Sequence, residues 1–353
     1  MNKYAKICIF ITNLWFAIDK NICKYIIVKK YNLAKERCIF MIKVFIDGQA
    51  GTTGLRIKDR LSARDDIELL KIDDGKRKDT SEIKKFINES DITFLCLPDA
   101  AAIEAVTLLE NDKTKIIDAS TAHRTNPKWA YGFPELGKEF KEKIVSNRLI
   151  TNPGCYASGF NSIVSPLVRH GIIEADYPLT CFAVSGYSGG GNKAIAQYED
   201  AERDPELDSP RQYALTQNHK HLKEMAAVSK LTRTPIFSPM ICNYKCGMVV
   251  SIPLFADMLK KKCSLKDIRE ILAEHYDGQE FVKVRRLGYT ENMIGANNFD
   301  GRDDMEIEVN GNDDRIVITS RFDNLGKGAS GAAIQCMNLA MGIDEKKGLI
   351  LGE

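Results

Sequence analysis

Short apolar runs alternate with amphipathic stretches along the chain after residue 40. The runs predict β-strands at residues 41–46, 67–72, 92–97 and 115–119. The stretches between them predict helices at residues 55–63, 81–88 and 100–110. Nearly continuous apolar runs are typical of strands that are buried on both faces. The alternation therefore predicts an α/β fold with a doubly wound, Rossmann-like parallel sheet.

Beyond the segment Asn152-Pro153-Gly154 the β-rich runs become longer. After a helix at 157–169, strands are predicted at 180–188, 236–244, 246–255, 305–309 and 315–322. This pattern indicates a second, mixed α/β domain. The last predicted helix, 328–341, carries a face of small residues suited to close packing, and we expect it to return to the first domain. The expected boundaries are 41–154, completed by 325–353, and 155–324.

The first forty residues differ from the remainder in charge. They hold seven Lys and one Arg against Asp19 and Glu36, whereas the formal net charge of the whole chain is +2. The apolar stretch 7–18 is shorter than the roughly 20 residues that a membrane helix needs, and no small-residue cleavage site follows it. We expect residues 1–40 to be a leader outside the fold, with Met41 as an alternative start. A targeting or anchoring segment is the alternative.

The composition of residues 41–353 limits the kinds of partner and ligand that we expect for this part of the chain. Subtracting the leader leaves a formal charge of about −4, without the clustered Lys and Arg that nucleic-acid binding requires. Ten Cys are scattered without the spacing of a disulfide framework, which favours a reducing, cytoplasmic location. Cys242 and Cys246 form a CxxxC pair, but neither a second pair nor a nearby His completes a zinc site. We expect no metal, no nucleic acid and no membrane partner.

A glycine-rich turn lies between the first strand and the first helix. It holds Gly48, Gly51, Thr52, Thr53 and Gly54 with GxxGxxG spacing. Glycines at this position allow a pyrophosphate to approach the backbone N–H groups of a helix N-terminus, although a flexible loop is the alternative explanation. The second strand is followed by acids and bases, where an acid would bind a ribose hydroxyl and Arg77 or Lys78 a 2′-phosphate. The basic cluster favours NADP(H).

Cys155 follows a Pro-Gly turn and precedes a predicted helix. A thiol at a helix N-terminus meets free N–H groups and the positive end of the helix dipole, both of which favour the nucleophilic thiolate. His219 and His221 are the candidate bases, two of five His in the chain. If a helix begins there, residues two apart point in nearly opposite directions, so one of the two is expected to face Cys155. The sequence leaves open which one.

Four further loop segments carry candidate binding groups at strand ends, where ligands gather in such sheets. Each also has a plain structural interpretation as a connecting loop. We expect anion or substrate binding from Ser120 and Arg124, from Asn152, and from Ser188, Gly189 and Lys193. Asn324 and Gly326, in the last loop, are expected to contact the cofactor.

Seven segments together resemble the N-acetyl-gamma-glutamyl-phosphate reductase family in its short form. They are DGQAGTTG, DASTAHR, YGFPEL, NPGCYAS, SGYSGGG, HKHL and DNLGKGASGAA, which span about residues 41–345. Two departures are Lys223, where the family usually has proline, and Asn192, where a second Lys is common. Neither removes a reactive group.

The resemblance implies a dinucleotide-binding domain followed by a catalytic and dimerisation domain like that of glyceraldehyde-3-phosphate dehydrogenase. It implies NADPH-dependent reduction of N-acetyl-L-glutamyl 5-phosphate in arginine biosynthesis, through a thioester on Cys155, by a homodimer or homotetramer. The alternatives are a reductase like aspartate-semialdehyde dehydrogenase and a non-catalytic NADP-binding regulator.

Overall fold

A computed structural model gives the fold of residues 41–290 and 292–352. The predicted leader, 1–40, lies outside the described residues. The first half of the described chain contains β1 Ile42–Asp47, α1 Thr52–Ser62, β2 Ile67–Leu70, α2 Thr80–Glu89, β3 Ile92–Leu95, α3 Asp99–Thr107, β4 Lys115–Asp118, β5 Ala130–Tyr131, α4 Lys138–Ser146 and β6 Leu149–Thr151.

These strands form one six-stranded sheet in the order β2-β1-β3-β4-β6-β5. The pairs β1–β3, β3–β4, β4–β6 and β6–β5 are parallel. Every residue of β3 is buried, as continuous apolar runs predict for a sheet that helices cover on both faces. Asp47 pairs with Leu95, Leu95 with Asp118 and Asp118 with Thr151, so the loops after these strands open on the same edge.

The second half of the chain forms a mixed seven-stranded sheet. Its elements are α5 Cys155–Arg169, β7 Thr180–Gly186, α6 Gly191–Glu199, β8 Arg211–Gln212, α7 Lys220–Val228, β9 Ile236–Cys242, β10 Met248–Phe255, α8 Leu265–His275, β11 Val282–Val284, β12 Met305–Gly311 and β13 Arg315–Phe322. The strand order is β11-β12-β13-β10-β7-β9-β8, with antiparallel pairing at the centre.

Helix α5 packs against one face of this second sheet. Its residues Phe160, Ile163 and Leu167 are buried in the largest hydrophobic cluster, together with residues of β10 and β13. Gly159 allows the close approach, because a Cβ at this position would lie 2.5 Å from Val250 Cγ2. Only residues 152–154 separate β6 of the first sheet from α5, so Cys155 stands at the point where the chain passes from the first sheet to the helix that packs on the second.

The chain then returns to the first sheet. A π-helical turn, Gly326–Ser330, leads into α9, Gly331–Ala340, which contacts β4, α1 and α4. The α/β class and the Rossmann-like first sheet are confirmed, whereas the domain boundaries remain a prediction. Among the residues that the structure describes, no helix has both the length and the apolar character needed to cross a bilayer.

Candidate active site

A cavity of about 200 Å³ opens at the carboxyl edge of the first sheet. Its wall combines the loops after β4 and β6 with the starts of α5 and α7. The three predicted catalytic residues line it together, and so does Asn152 from the segment of Cys155. Arg124, Gly189 and Asn324, from three other predicted motifs, also line it. Tyr156, Tyr213 and Lys220 complete the polar wall. The fold therefore gathers residues that lie up to 200 positions apart in the sequence.

Cys155 is the first residue of α5, after the N-cap Gly154. Burial raises the pKa of its thiol to about 11, although the backbone N–H of Tyr156 and the charge of Arg124 act in the opposite direction. Removal from water disfavours the charged form by more than the helix N-terminus favours it. The nucleophile needs a base at the moment of attack.

Gly154 brings this base close to the nucleophile. A Cβ at residue 154 would lie 2.4 Å from both His221 Nε2 and Arg124 Nη1, so the absence of a side chain admits both groups. The imidazole of His221 consequently packs against the residue that precedes Cys155.

Both imidazoles line the cavity, contrary to the expectation from helical spacing. His219 is the N-cap of α7 with an extended backbone, and its Nδ1 accepts the N–H of His221 at 3.2 Å. The two ring centroids lie 4.7 Å apart. Burial lowers the pKa of His219 to about 4 and that of His221 well below its usual value, the latter with help from the Arg124 charge. Both rings are thus neutral proton acceptors at physiological pH.

Sequence reasoning assigned no role to Glu224, which organises this wall. Its buried carboxylate accepts from Arg124 Nη1 at 2.9 Å, from the Tyr131 hydroxyl at 2.8 Å and from the backbone N–H of Gly154 at 2.8 Å. It lies on α7 one turn after His221, so one helix carries both groups. The available signal was this spacing within the HKHLKE segment, but an acid on a helix is ordinarily solvated.

Arg124 is buried and has acceptors for all three nitrogens. Besides Glu224, it donates to the carbonyls of Asn152 at 2.9 Å and Ala119 at 3.0 Å. Asn152 donates to the Ala329 carbonyl at 3.0 Å, and its buried Oδ1 has no partner among the described residues. An unsatisfied buried acceptor that lines a cavity indicates a position for a ligand donor.

Three of the predicted binding residues, Ser120, Lys193 and Gly326, line neither this cavity nor the two neighbouring cavities along the glycine turn. The Ser120 hydroxyl donates to Asp118 Oδ2 at 2.8 Å, so it stabilises its own loop. Lys193 is exposed on the first turn of α6. Gly326 is required by packing, since a Cβ there would lie 1.9 Å from the Arg302 carbonyl oxygen.

A groove extends from the catalytic cavity along the glycine turn. A second cavity, of about 240 Å³, is lined by Gly51, Thr52, Thr53, Gly54 and Ser188, among others, and shares Thr53 and Gly189 with the first. A third, of about 220 Å³, holds Gly48, Arg77 and Lys78 and shares Leu97 with the second. The predicted cofactor residues other than Gly326 thus follow one path, which ends at Cys155.

The start of α1 fits a pyrophosphate. Its N-cap, Gly51, has no side chain to cap the helix and the first turn holds no acid, whereas α2 is capped by the carboxylate of Asp79. Gly48 has φ +82°, and a Cβ there would lie 2.3 Å from the Cys96 carbonyl. Free N–H groups at a helix N-terminus are a ready anion site.

Asn192 joins the glycine turn to α6. It accepts from the Thr52 hydroxyl at 2.9 Å and donates to the Ala50 carbonyl at 2.9 Å. Asparagine at this position, where a second Lys is common in the family, therefore ties α6 to the glycine turn that lines the groove.

Deeper in the groove, Asn324 donates to the Ser188 hydroxyl at 3.0 Å.

Nearby, the thiol of Cys246 and the carboxylates of Asp300 and Asp323 lie close enough together to hold a cation. The guanidinium of Arg56 lies among them, 2.8 Å from Asp323 and 3.7 Å from Asp300, and supplies the balancing charge.

Comparisons with known proteins agree with this arrangement. Residues 41–144 match a family described as "Semialdehyde dehydrogenase, NAD binding domain", and residues 155–324 match "Semialdehyde dehydrogenase, dimerisation domain". N-acetyl-gamma-glutamyl-phosphate reductases from Brucella ovis and Brucella canis are 45% identical over 306 residues, which cover 85% of this chain and 99% of each relative. The chain belongs to the N-acetyl-gamma-glutamyl-phosphate reductase family.

Solved structures extend the likeness in fold beyond this reductase family. Aspartate semialdehyde dehydrogenase II from Vibrio cholerae superposes with a TM-score of 0.64 at 13% identity, over 85% of this chain and 98% of that one. The enzyme from Francisella tularensis gives 0.65 at 15% identity, over 85% and 100%. At such identities the likeness concerns the fold alone.

Proposed function

We propose that this chain reduces N-acetyl-L-glutamyl 5-phosphate to N-acetyl-L-glutamate 5-semialdehyde with NADPH, as a step of arginine biosynthesis. The observation that carries the proposal is the placement of Cys155 beside two neutral imidazoles at the end of a dinucleotide groove. Relatives at 45% identity with the same reaction in their names support the substrate.

The first step is acyl transfer to the protein. The Cys155 sulfur attacks the acyl carbon, the thiol proton passes to an imidazole, and the carbon–oxygen bond to phosphate breaks. The product is a thioester on Cys155 and free phosphate. Because the resting thiol is protonated, proton removal and attack are coupled, and the neutral imidazole supplies this general-base assistance.

We assign the base to His221 and a positioning role to His219. His221 is buried against Gly154, next to the nucleophile, and its Nδ1 has no partner among the described residues. His219 uses its own Nδ1 to cap α7. The His221 imidazolium gives the thiol proton to the leaving phosphate. After taking up a proton from solvent, the same imidazole protonates the sulfur when the thioester is reduced and the thiol is released.

NADPH, when bound, supplies the hydride that converts the thioester into the aldehyde. The residues proposed to hold it are Gly48, Gly51, Thr52, Thr53 and Gly54 at the pyrophosphate, Arg77 and Lys78 at the 2′-phosphate, and Asn324 further along the groove. The backbone N–H of Cys155, at the first position of α5, is proposed to stabilise the oxyanion that forms during both steps. Asn152 and Gly189 are proposed to contact the substrate.

We further propose a homodimer that forms through the open face of the second sheet. One face of this sheet packs on α5 and α8, while the other exposes apolar side chains from four strands: Phe182, Ile236, Phe255 and Val317. The matching "dimerisation domain" supports a second copy as the occupant of this face.

We also propose a reducing, cytoplasmic location. It accords with the seven cysteines among the described residues, all of which are free thiols.

Phosphate-dependent reduction of NADP by two semialdehydes tests the proposed reaction. We expect turnover with N-acetylglutamate semialdehyde and at least about a hundredfold lower kcat/KM with aspartate semialdehyde, whose shorter chain misplaces the reacting carbon.

The same assay tests the two proposed catalytic side chains. Cys155→Ala is expected to abolish turnover, and His221→Asn to reduce kcat by about 10²–10⁴-fold. Preference for aspartate semialdehyde would support the related dehydrogenase activity. NADP binding without turnover on either substrate would support a regulator.

A further inference from the structure

A dianionic phosphoryl group must lie in the catalytic cavity if the proposed function holds, on which the following inference rests. In an acyl phosphate the phosphorus is separated from the attacked carbon by a single oxygen atom. The substrate carboxylate, in contrast, lies at the far end of the carbon chain. A cation that shares the small cavity with Cys155 is therefore closest to the phosphoryl group. A charge-assisted hydrogen bond is the interaction expected there.

The cavity wall offers two cationic side chains among the described residues, Arg124 and Lys220. Arg124 is already committed, because the buried carboxylate of Glu224 lies 2.9 Å from its Nη1 and two carbonyls accept from its other nitrogens. The neutral imidazoles of His219 and His221 add no positive charge.

Lys220 differs from Arg124 in both exposure and partners. Its side chain is exposed at the cavity wall, and its ammonium group forms no ion pair with any residue that the structure describes. It stands between the two imidazoles in sequence. It is also the first residue of α7, so the positive end of that helix dipole lies at the same place. Its charge reaches the nucleophile and contributes to lowering the pKa of the Cys155 thiol against the effect of burial.

We propose that Lys220 binds the phosphoryl group of the acyl phosphate and the free phosphate that leaves from it. Arg124, the residue that the sequence favours for an anion, instead holds the wall of the cavity in place through Glu224. The lysine stabilises the leaving group and holds the acyl carbon next to Cys155.

Kinetics in the direction of semialdehyde oxidation separate the two possible anions, because phosphate and semialdehyde are then independent substrates. We expect Lys220→Met to raise the KM for phosphate about tenfold to a hundredfold, as the loss of one charge-assisted hydrogen bond implies, and to leave the KM for the semialdehyde within about twofold. Lys220→Arg should recover most of the phosphate affinity. Lys223→Met, which removes a charge from an exposed site on the same helix, is the matched control and should behave as the wild type.

A rise in the semialdehyde KM instead would assign Lys220 to the carboxylate and overturn the proposal, as would unchanged constants. A second readout does not depend on turnover. Inorganic phosphate should slow the alkylation of Cys155 by iodoacetamide in the wild type and the Lys223→Met control, and not in Lys220→Met. If the wild type turns over neither semialdehyde, the proposed function fails, and this protection still decides whether Lys220 binds phosphate. Equal protection in all three proteins would contradict it.

Discussion

Two opposing effects act on the sulfur of Cys155. The helix N-terminus and nearby cations favour the thiolate, and the loss of solvent favours the thiol, with the second effect larger. The neighbouring imidazoles are held neutral by the same loss of solvent. These directions correspond to a resting site with an uncharged thiol and two uncharged imidazoles, so we expect the thiol to react weakly before substrate binds.

This charge state predicts how the thiol reacts with an added electrophile. Because only the thiolate is alkylated, and its fraction grows about tenfold per pH unit below the pKa, we expect the rate at Cys155 to rise continuously from pH 7 to pH 9. Peptide mass spectrometry after timed iodoacetamide treatment measures this rate at one cysteine, with glutathione in the same tube as a reference. A rate that is already constant below pH 8 would show a preformed thiolate.

At this scale the sequence selected a proposed nucleophile and two proposed bases that line one cavity, but it did not indicate their protonation. Cys155 and the two His were found because short motifs carry them. Their pKa shifts come from burial by residues far away in the chain, which no local pattern contains. Ser120 was assigned a ligand, yet its hydroxyl is taken by Asp118, two residues earlier.

Helix α7 combines chemistry and support at the scale of one element. It carries His221 and, one turn later, Glu224, whose carboxylate fixes Arg124, Tyr131 and the Gly154 N–H at once. A buried carboxylate that holds three donors orders the strand-to-helix turn before Cys155. The helix begins at Lys220 even though Lys223 replaces the proline usual in the family.

Removal of the Glu224 charge should destabilise the fold. Glu224→Gln preserves the shape but leaves the buried guanidinium of Arg124 without its counter-ion, so we expect the free energy of unfolding to fall by about 3 kcal/mol. Urea denaturation at a fixed protein concentration measures the change. Glu174→Gln is the control, since it breaks an exposed pair with Lys260 and should cost less than about 1 kcal/mol. Equal effects in the two variants would refute the role of Glu224.

The predicted elements were most accurate where the apolar pattern is long. The strand 315–322 was placed at its observed bounds, and α5 began two residues earlier than predicted. The strands of two or three residues, β5, β6, β8 and β11, were missed. So short a strand has no measurable periodicity, and tertiary pairing alone defines it.

At the scale of the whole molecule, the two sheets have different tasks. The first presents the carboxyl ends of its strands to the ligand groove, and the second carries α5 and α7 on one side and an apolar surface on the other. The order of strands in the second sheet could not be read from the sequence, because antiparallel pairing between distant segments depends on the packed core. The resemblance to a known family implied only a domain like that of glyceraldehyde-3-phosphate dehydrogenase.

The exposed face of the second sheet provides a test of assembly. Phe182→Lys combined with Val317→Lys places two charges on this face, so we expect the dimer to dissociate into monomers, because burial of an unpaired charge is strongly unfavourable. Light scattering coupled to size-exclusion chromatography measures the mass. Ile103→Lys, at an exposed apolar position on α3, is the control and should remain dimeric. A double variant that keeps the mass of a dimer would exclude this face as the interface.

The thioester on Cys155 is the central claim, and intact-protein mass spectrometry tests it most directly. The protein is mixed with N-acetylglutamyl phosphate in the absence of NADPH, and the adduct is then located by peptide mapping. We predict one N-acetylglutamyl group per chain, attached to Cys155, absent from Cys155→Ala and removed when NADPH is added. An unmodified Cys155 under conditions in which the same protein preparation turns over with NADPH, or an adduct on another residue, would contradict the account.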